Sequence, residues 1–231
     1  MNSLSKYLLA GAALAAFASV GRSDPTLMLF DVINGNIVDE QTVVDNGSGD
    51  QNPNAGVVEF NGSIQGWDVN TTVGLVGTNP TLDISSVDRA TDPQGDLYVV
   101  FSDNNIATTG SVSSSIGGTT SAPQEAINFW TYSGVNIEDL SNLLTSNTLT
   151  GSPFSASANG STSLNGSSPY SLTEVIEITD AGSGSLTSFD ANLTVTGSSS
   201  VPDSGTTLLL LALGLAVIGL SARRFRLAGI A

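Results

Sequence analysis

From Pro25 to Val195 the apolar residues recur mostly at every second position, the spacing of strands with one buried face. The clearest run is Phe189, Ala191, Leu193 and Val195, alternating with Asp190, Asn192 and Thr194. Val58 and Phe60 alternate with Glu59 and Asn61, Trp67 and Val69 with Asp68 and Asn70, and Leu82 and Ile84 with Thr81 and Asp83. Leu97–Phe101 is apolar throughout, which predicts a strand in the middle of a sheet. Further strands are predicted at Thr26–Asp31, Gln41–Val44, Ala126–Tyr132 and Leu172–Thr179. Between the predicted strands lie Asn34-Gly35, Asn46-Gly47, Asn61-Gly62 and Gly182, residues that accept the positive φ of tight reversals. One short helix is predicted around Ile137, Leu140 and Leu144, with Asn136 as its cap and Asp139 three positions on. Ser155–Pro169, rich in Ser, Asn and Gly, reads as a long loop.

Many strands with turn signals and almost no helix predict a mostly β fold, an antiparallel β-sandwich over residues 24–196. Its largest core contributors are Trp67, Trp130, Phe101 and Phe129, each with the alternative place of an exposed ring that stacks on sugar. Residues 197–200 read as a linker to the tail.

Both ends break the alternation. Lys6 gives a short positive start, and Leu8–Ala18 is an apolar run of about 11 residues, too short for a bilayer that needs roughly 20 helical residues. Ala16 and Ala18 supply the small residues of a signal-peptide cleavage point, with a second cut placed after Ser23, so residues 1–23 are predicted to be a signal helix that is removed on export. At the other end, Leu208–Leu220 holds only aliphatic residues, Ala and Gly. Thr206–Ala222, about 17 residues long, is predicted as a single, marginal transmembrane helix. Arg223, Arg224 and Arg226 follow it, and the positive-inside rule keeps them cytoplasmic, with everything before Val201 on the far side. Pro202 removes an N–H and disfavours helix in the preceding residue, which keeps Val201–Gly205 extended outside the helix end.

Composition narrows the chemistry. The 231 residues leave room for one ordinary domain plus export signals. There are 21 acidic residues against 6 basic ones, a net charge of -15, and neither His nor Cys. Without imidazole or thiolate, Ser-His-Asp and Cys-His catalysis and His or Cys zinc sites are excluded, and the exported fold has no disulfide. Between Asp24 and Ser200 the only cation is Arg89, which argues against nucleic acid, because a phosphate backbone is bound through Lys and Arg. The positive mean hydropathy of +0.17 comes from the two apolar ends rather than from the polar centre.

Two kinds of carboxylate chemistry remain. Asp45, Asp50 and Asn52, with nearby carbonyls, could supply oxygen ligands to calcium, although their spacing does not match an EF-hand loop. Asp88, Asp92 and Asp96 form a similar group. A glycosidase can also run on two carboxylates, but pairs are expected by chance in a chain with this many acids. No residue is assigned a catalytic role and no cofactor is required, so the chain reads as non-enzymatic.

The word Val201-Pro202-Asp203-Ser204-Gly205, the apolar segment Thr206–Ala222 and the cluster Arg223, Arg224 and Arg226 together resemble the PEP-CTERM sorting signals of Gram-negative bacteria, in the variant whose word is Val-Pro-Asp-Ser-Gly. Relative to the commoner Val-Pro-Glu-Pro word, Asp203 replaces a glutamate and Ser204 a proline. The resemblance implies that an exosortase, a membrane protease with a catalytic cysteine, recognises Val201–Gly205 while the helix tethers the precursor and the arginines act as a stop. It implies as partners the export translocon and the exosortase, and as destination the inner membrane, then the cell surface or extracellular matrix. The expected function is that of a sorted surface or matrix protein. The alternatives are a carbohydrate-binding module, calcium-assisted and directed at matrix polysaccharide, and a carboxylate-only glycosidase.

Overall fold

The computed structural model describes residues 24–75, 80–91, 95–108, 110–137, 139–160, 169–179 and 181–197. The predicted signal helix, its cleavage residues Ala16 and Ala18, and the whole tail from Val201 lie outside them. Among the described residues there are twelve strands and no helix. They are β1 (Thr26–Ile33), β2 (Asn36–Val44), β3 (Val57–Ile64), β4 (Trp67–Leu75), β5 (Thr81–Ala90) and β6 (Asp96–Ile106), followed by β7 (Gly110–Thr120), β8 (Ala126–Gly134), β9 (Asn142–Thr150), β10 (Phe154–Asn159), β11 (Tyr170–Thr179) and β12 (Leu186–Gly197). Sheet A has the order β2-β1-β6-β11-β8-β9 and sheet B the order β10-β7-β12-β5-β4-β3, with every pairing antiparallel.

The alternation explains how the sheets share one core. In β12, Phe189, Ala191, Leu193 and Val195 are buried while Asp190, Asn192 and Thr194 face outward. They meet Leu82 and Ile84 of β5 and, across the layer, Leu97, Val99 and Phe101 of β6 with Leu172, Ile176 and Ile178 of β11. Trp67, Phe101 and Phe129 are wholly buried in this cluster. The β1–β2 reversal is made by Asn34 at φ 52° and Gly35 at φ 79°, the two positive-φ residues that a tight hairpin needs to keep the twist of its strands.

Two predictions are corrected. The segment predicted as a helix forms turns and then β9. Asp139 organises those turns, accepting the Val135 N–H at 2.8 Å and the Ser141 N–H at 3.0 Å, so the cap-like spacing of Asn136 and Asp139 marks a loop closure. Leu144 and Leu149 are buried against the main core from a strand rich in β-branched Thr. The predicted loop Ser155–Pro169 begins as β10, an edge strand whose partner is β7 and whose Phe154 anchors it in the core.

Sheet A also buries its outer face. Met28, Phe30, Tyr98, Val100, Trp130 and Val175 form a second apolar cluster, with Val32, Ile37, Tyr132 and Leu140 packed against it. This two-sided burial is the reason Leu97–Phe101 is apolar throughout, with odd positions feeding one cluster and even positions the other.

Candidate functional site

The loop from β2 to β3 holds the residues singled out for calcium. Asp50 is its organiser: Oδ2 accepts the Asn46 N–H at 2.8 Å, and Oδ1 accepts the N–H groups of Asn52 and Glu59, each at 3.0 Å. The Asn52 side chain donates to Glu59 at 3.4 Å and accepts the Asn54 N–H at 3.0 Å. Asp45 Oδ2 accepts the Gly56 N–H at 2.9 Å, while its Oδ1 is buried without a partner. The structure therefore brings Asp45, Asp50 and Asn52 into one loop and uses them to bind its backbone. Among the described residues no group of three or more acidic side chains has the geometry to hold a metal ion.

A different set of acids meets at the end of sheet A. Asp45 N–H donates to the Pro25 carbonyl at 2.9 Å, and Thr26 pairs with Val44 on one side and Ser102 on the other. Asp24, Asp45 and Asp103 thus share a neighbourhood. Burial, with repulsion from Asp24 and Asp45, pushes the Asp103 carboxyl up to about 6. Sequence reasoning missed this group because its members are distant in the chain and only the β2-β1-β6 order collects them.

Several further acids are interior. Asp88, from the second predicted group, is wholly buried; burial pushes it up to about 7, and it accepts the Ser86 hydroxyl at 2.7 Å. Asp96 opens β6, and Asp92 lies outside the described residues. Glu125 accepts hydroxyl donors from Thr120 and Thr187, and Glu177 accepts from Tyr98 and Asn128. Glu174 is wholly buried and neither of its oxygens has a partner; burial, with repulsion from Asp83 and Asp190, raises it well above the ordinary carboxylate range. Arg89 is exposed on the outer side of sheet B, so it neutralises none of these groups. With no other cation among the described residues, the interior acids Asp88, Asp103 and Glu174 are held by burial toward their neutral form.

These placements bear on the candidate chemistries. Asp83 and Asp190 stand together on the outer face of sheet B, close enough for a hydrogen bond that, after burial and mutual repulsion, also raises Asp83. That contact is tighter than the roughly 5–9 Å that separates the two carboxyls of a glycosidase. Trp67 is in the main core, so no sugar reaches its ring face, while Trp130 looks the other way into the second cluster and is 9% exposed.

Residues 200–225 match the family described as "VPDSG-CTERM motif", a span that contains Val201–Gly205 together with Arg223 and Arg224 and stops one residue short of Arg226. The chain ends in a PEP-CTERM-like sorting signal. The signal points to an exported, sorted protein. Among the described residues no helix is long and apolar enough to cross a membrane, and the segment Thr206–Ala222 lies outside them.

No curated protein matches the chain. Among solved structures it is similar to an Arthrobacter globiformis T6 isomalto-dextranase complexed with panose, at 12% identity and a TM-score of 0.29 over 75% of this chain and 30% of that one. It is also similar to TmCBM61 in complex with β-1,4-galactotriose, at 10% identity and a TM-score of 0.30 over 64% of this chain and 92% of that one. A third is a structure of infectious bursal disease virus, Gx strain, at 16% identity and a TM-score of 0.32 over 79% of this chain and 54% of that one. The functional reading therefore rests on the residues of this chain.

Proposed function

We propose that this chain is a non-enzymatic surface or extracellular-matrix protein of a Gram-negative bacterium, exported by its N-terminal signal and cut from a temporary anchor by an exosortase-type membrane protease. The observation that carries the reading is the match of residues 200–225 to the VPDSG-CTERM motif. A hydrophobic segment of about 17 residues is at the short limit for spanning, which suits a transient tether, and Arg223, Arg224 and Arg226 oppose passage of the last residues across the membrane. The non-enzymatic part is supported by the missing His and Cys and by acids that are buried, used as backbone acceptors or held in contact with one another.

Peptide mapping of the mature protein tests this reading. In cells with the sorting protease the mature chain should lack Arg223–Ala231, and in cells without it the tail should stay attached and membrane-bound. An intact tail on the surface-exposed protein of wild-type cells would overturn it.

A further inference from the structure

We infer that the outer face of sheet B carries a binding groove for a neutral polysaccharide chain, laid across β10, β7 and β12. The groove has a volume of about 720 Å³ and is lined by the outward residues Ser155 and Ser157 of β10, Ser115 and Gly117 of β7, and Asp190 and Asn192 of β12. The groove is shallow and open to solvent along the face of the sheet, which suits an extended chain laid on it rather than an enclosed small molecule.

Strand register sets these residues in two rows. Ser155 pairs with Gly117 and Gly117 with Asp190; Ser157 pairs with Ser115 and Ser115 with Asn192. Because side chains alternate across a strand, all six lie on one face, with Phe154, Ile116 and Ala191 turned into the core behind them.

Gly117 gives the clearest sign that the floor is kept open. A Cβ there would meet its nearest neighbours, the Phe154 carbonyl oxygen and Ser155 Cβ, at 3.8 and 4.0 Å, ordinary contact distances. The next residue, Gly118, is different: its Cβ would come within 2.1 Å of the Ser188 carbonyl oxygen, so packing demands a glycine. Glycine inside a strand weakens it and commonly marks a bulge, a tight bend or a close approach, and the register of β7 with β10 and β12 runs through Gly117 without a bulge. Gly117 has no steric reason to be a glycine and lies in the middle of the groove floor.

The chemistry of the lining selects the ligand. Serine hydroxyls both donate and accept, Asp190 accepts, and the Asn192 oxygen already accepts Ser115 Oγ at 3.2 Å, which leaves its NH2 for an incoming acceptor. A ligand with a donor and an acceptor at every hydroxyl matches this set. No side chain of the lining is cationic, and Asp190 sits in it with Asp83 alongside, so uronate or phosphate polymers are repelled. No aromatic ring lines the groove, so recognition is by hydrogen bonds.

Titration calorimetry on the full chain in a polyoxyethylene detergent, which has no sugar headgroup, tests the site independently of C-terminal processing. The probes are neutral hexasaccharides of β-1,4-glucose, α-1,4-glucose, β-1,4-galactose and β-1,4-mannose, with oligogalacturonate as the acidic counterpart. At least one neutral probe should bind, with oligogalacturonate weaker by about tenfold or more. Gly117→Val should weaken the neutral probe by about tenfold or more while moving Tm by less than about 2 °C. Asn192→Ala should weaken it by roughly threefold to tenfold, and it decides the matter if Gly117→Val perturbs folding. Failure of every neutral probe to bind, equal binding of oligogalacturonate, or binding unchanged in both variants would each overturn the inference.

Discussion

Phe129 and Trp130 are neighbours in β8 and face opposite sides of sheet A, yet both are packed, one in the main core and one in the outer cluster. In sheet B the residues that alternate with the core are Asp190, Asn192 and Thr194 of β12 and Ser115 and Gly117 of β7, and they are left at the surface. The two sheets obey one period and differ in what fills the second phase of it. Sheet A reads as apolar on both phases in β1 and β6, whereas sheet B reads as apolar on one. An apolar second face is stabilised by burial, and a polar second face is free to meet a solute.

The sharpest way to break this contrast is to make the same change on both outer faces. Val100 is wholly buried on sheet A, and Val87 is 46% exposed on sheet B. Val100→Lys should cost roughly 3–5 kcal/mol or prevent folding, because it places an unpaired charge in a packed cluster. Val87→Lys should stay within about 0.5 kcal/mol. Urea titration of both variants checks the pair, and equal effects would show that the two faces do not differ in packing. Next in size, Phe129→Ala and Trp130→Ala should each cost about 3–5 kcal/mol, since both delete a large buried ring. A cost under about 1 kcal/mol at Trp130, read from the same titration, would mean that the outer cluster is not a second core.

Where one phase of the alternation is strongly apolar and the other polar, as in Phe189–Val195, the strand could be read directly from the sequence. The three strands that were not predicted lack that contrast. The inward residues of β7 are Gly110, Val112, Ser114, Ile116, Gly118 and Thr120, so only two carry apolar side chains. In β9 a shift of register against β8 puts Leu144 and Thr145 both inside and breaks the period. β10 has Ser at every outward position but its last, and Phe154 is its only large residue. The groove on sheet B was illegible for the same reason, because two of its three strands were these. The acids at Asp24, Asp45 and Asp103 were equally hidden, since only long-range pairing collects them. The sorting word at Val201–Gly205, by contrast, is a linear motif and needs no fold to be read.

Acid residues carry the same contrast between inside and outside, and pH reads it. Asp88 and Asp103 are raised by burial from an ordinary 3.8 to about 7 and about 6. Between the unfolded and folded values the folded chain holds more protons, so these groups favour the fold most below about 3.8 and lose that contribution as pH rises through about 6 and 7. Thermal melts should therefore show a domain more stable at pH 5 than at pH 8, contrary to the usual pattern for paired carboxylates. Asp88→Asn, which keeps an acceptor for Ser86, should flatten the upper part of this slope. A melting temperature that climbs from pH 5 to pH 8 would show that the interior acids are charged in the fold.

The smallest of the expected effects concerns Glu174, whose neighbours Leu172 and Ile176 on the inner face of β11 are apolar. An acid at this position must stay neutral, and even then both of its oxygens lack a partner. Glu174→Leu removes the orphaned oxygens and keeps a side chain of similar size, so it should stabilise the domain by about 1–3 kcal/mol at pH 7, measured by urea titration. Asp190→Leu removes an exposed acid that repels both Asp83 and Glu174, so it should shift stability in the same direction but by less, under about 1 kcal/mol. A Glu174→Leu variant less stable than the parent would mean that this carboxyl has a partner in solution, such as a buried water, and that the interior of the sandwich is wetter than its apolar lining implies.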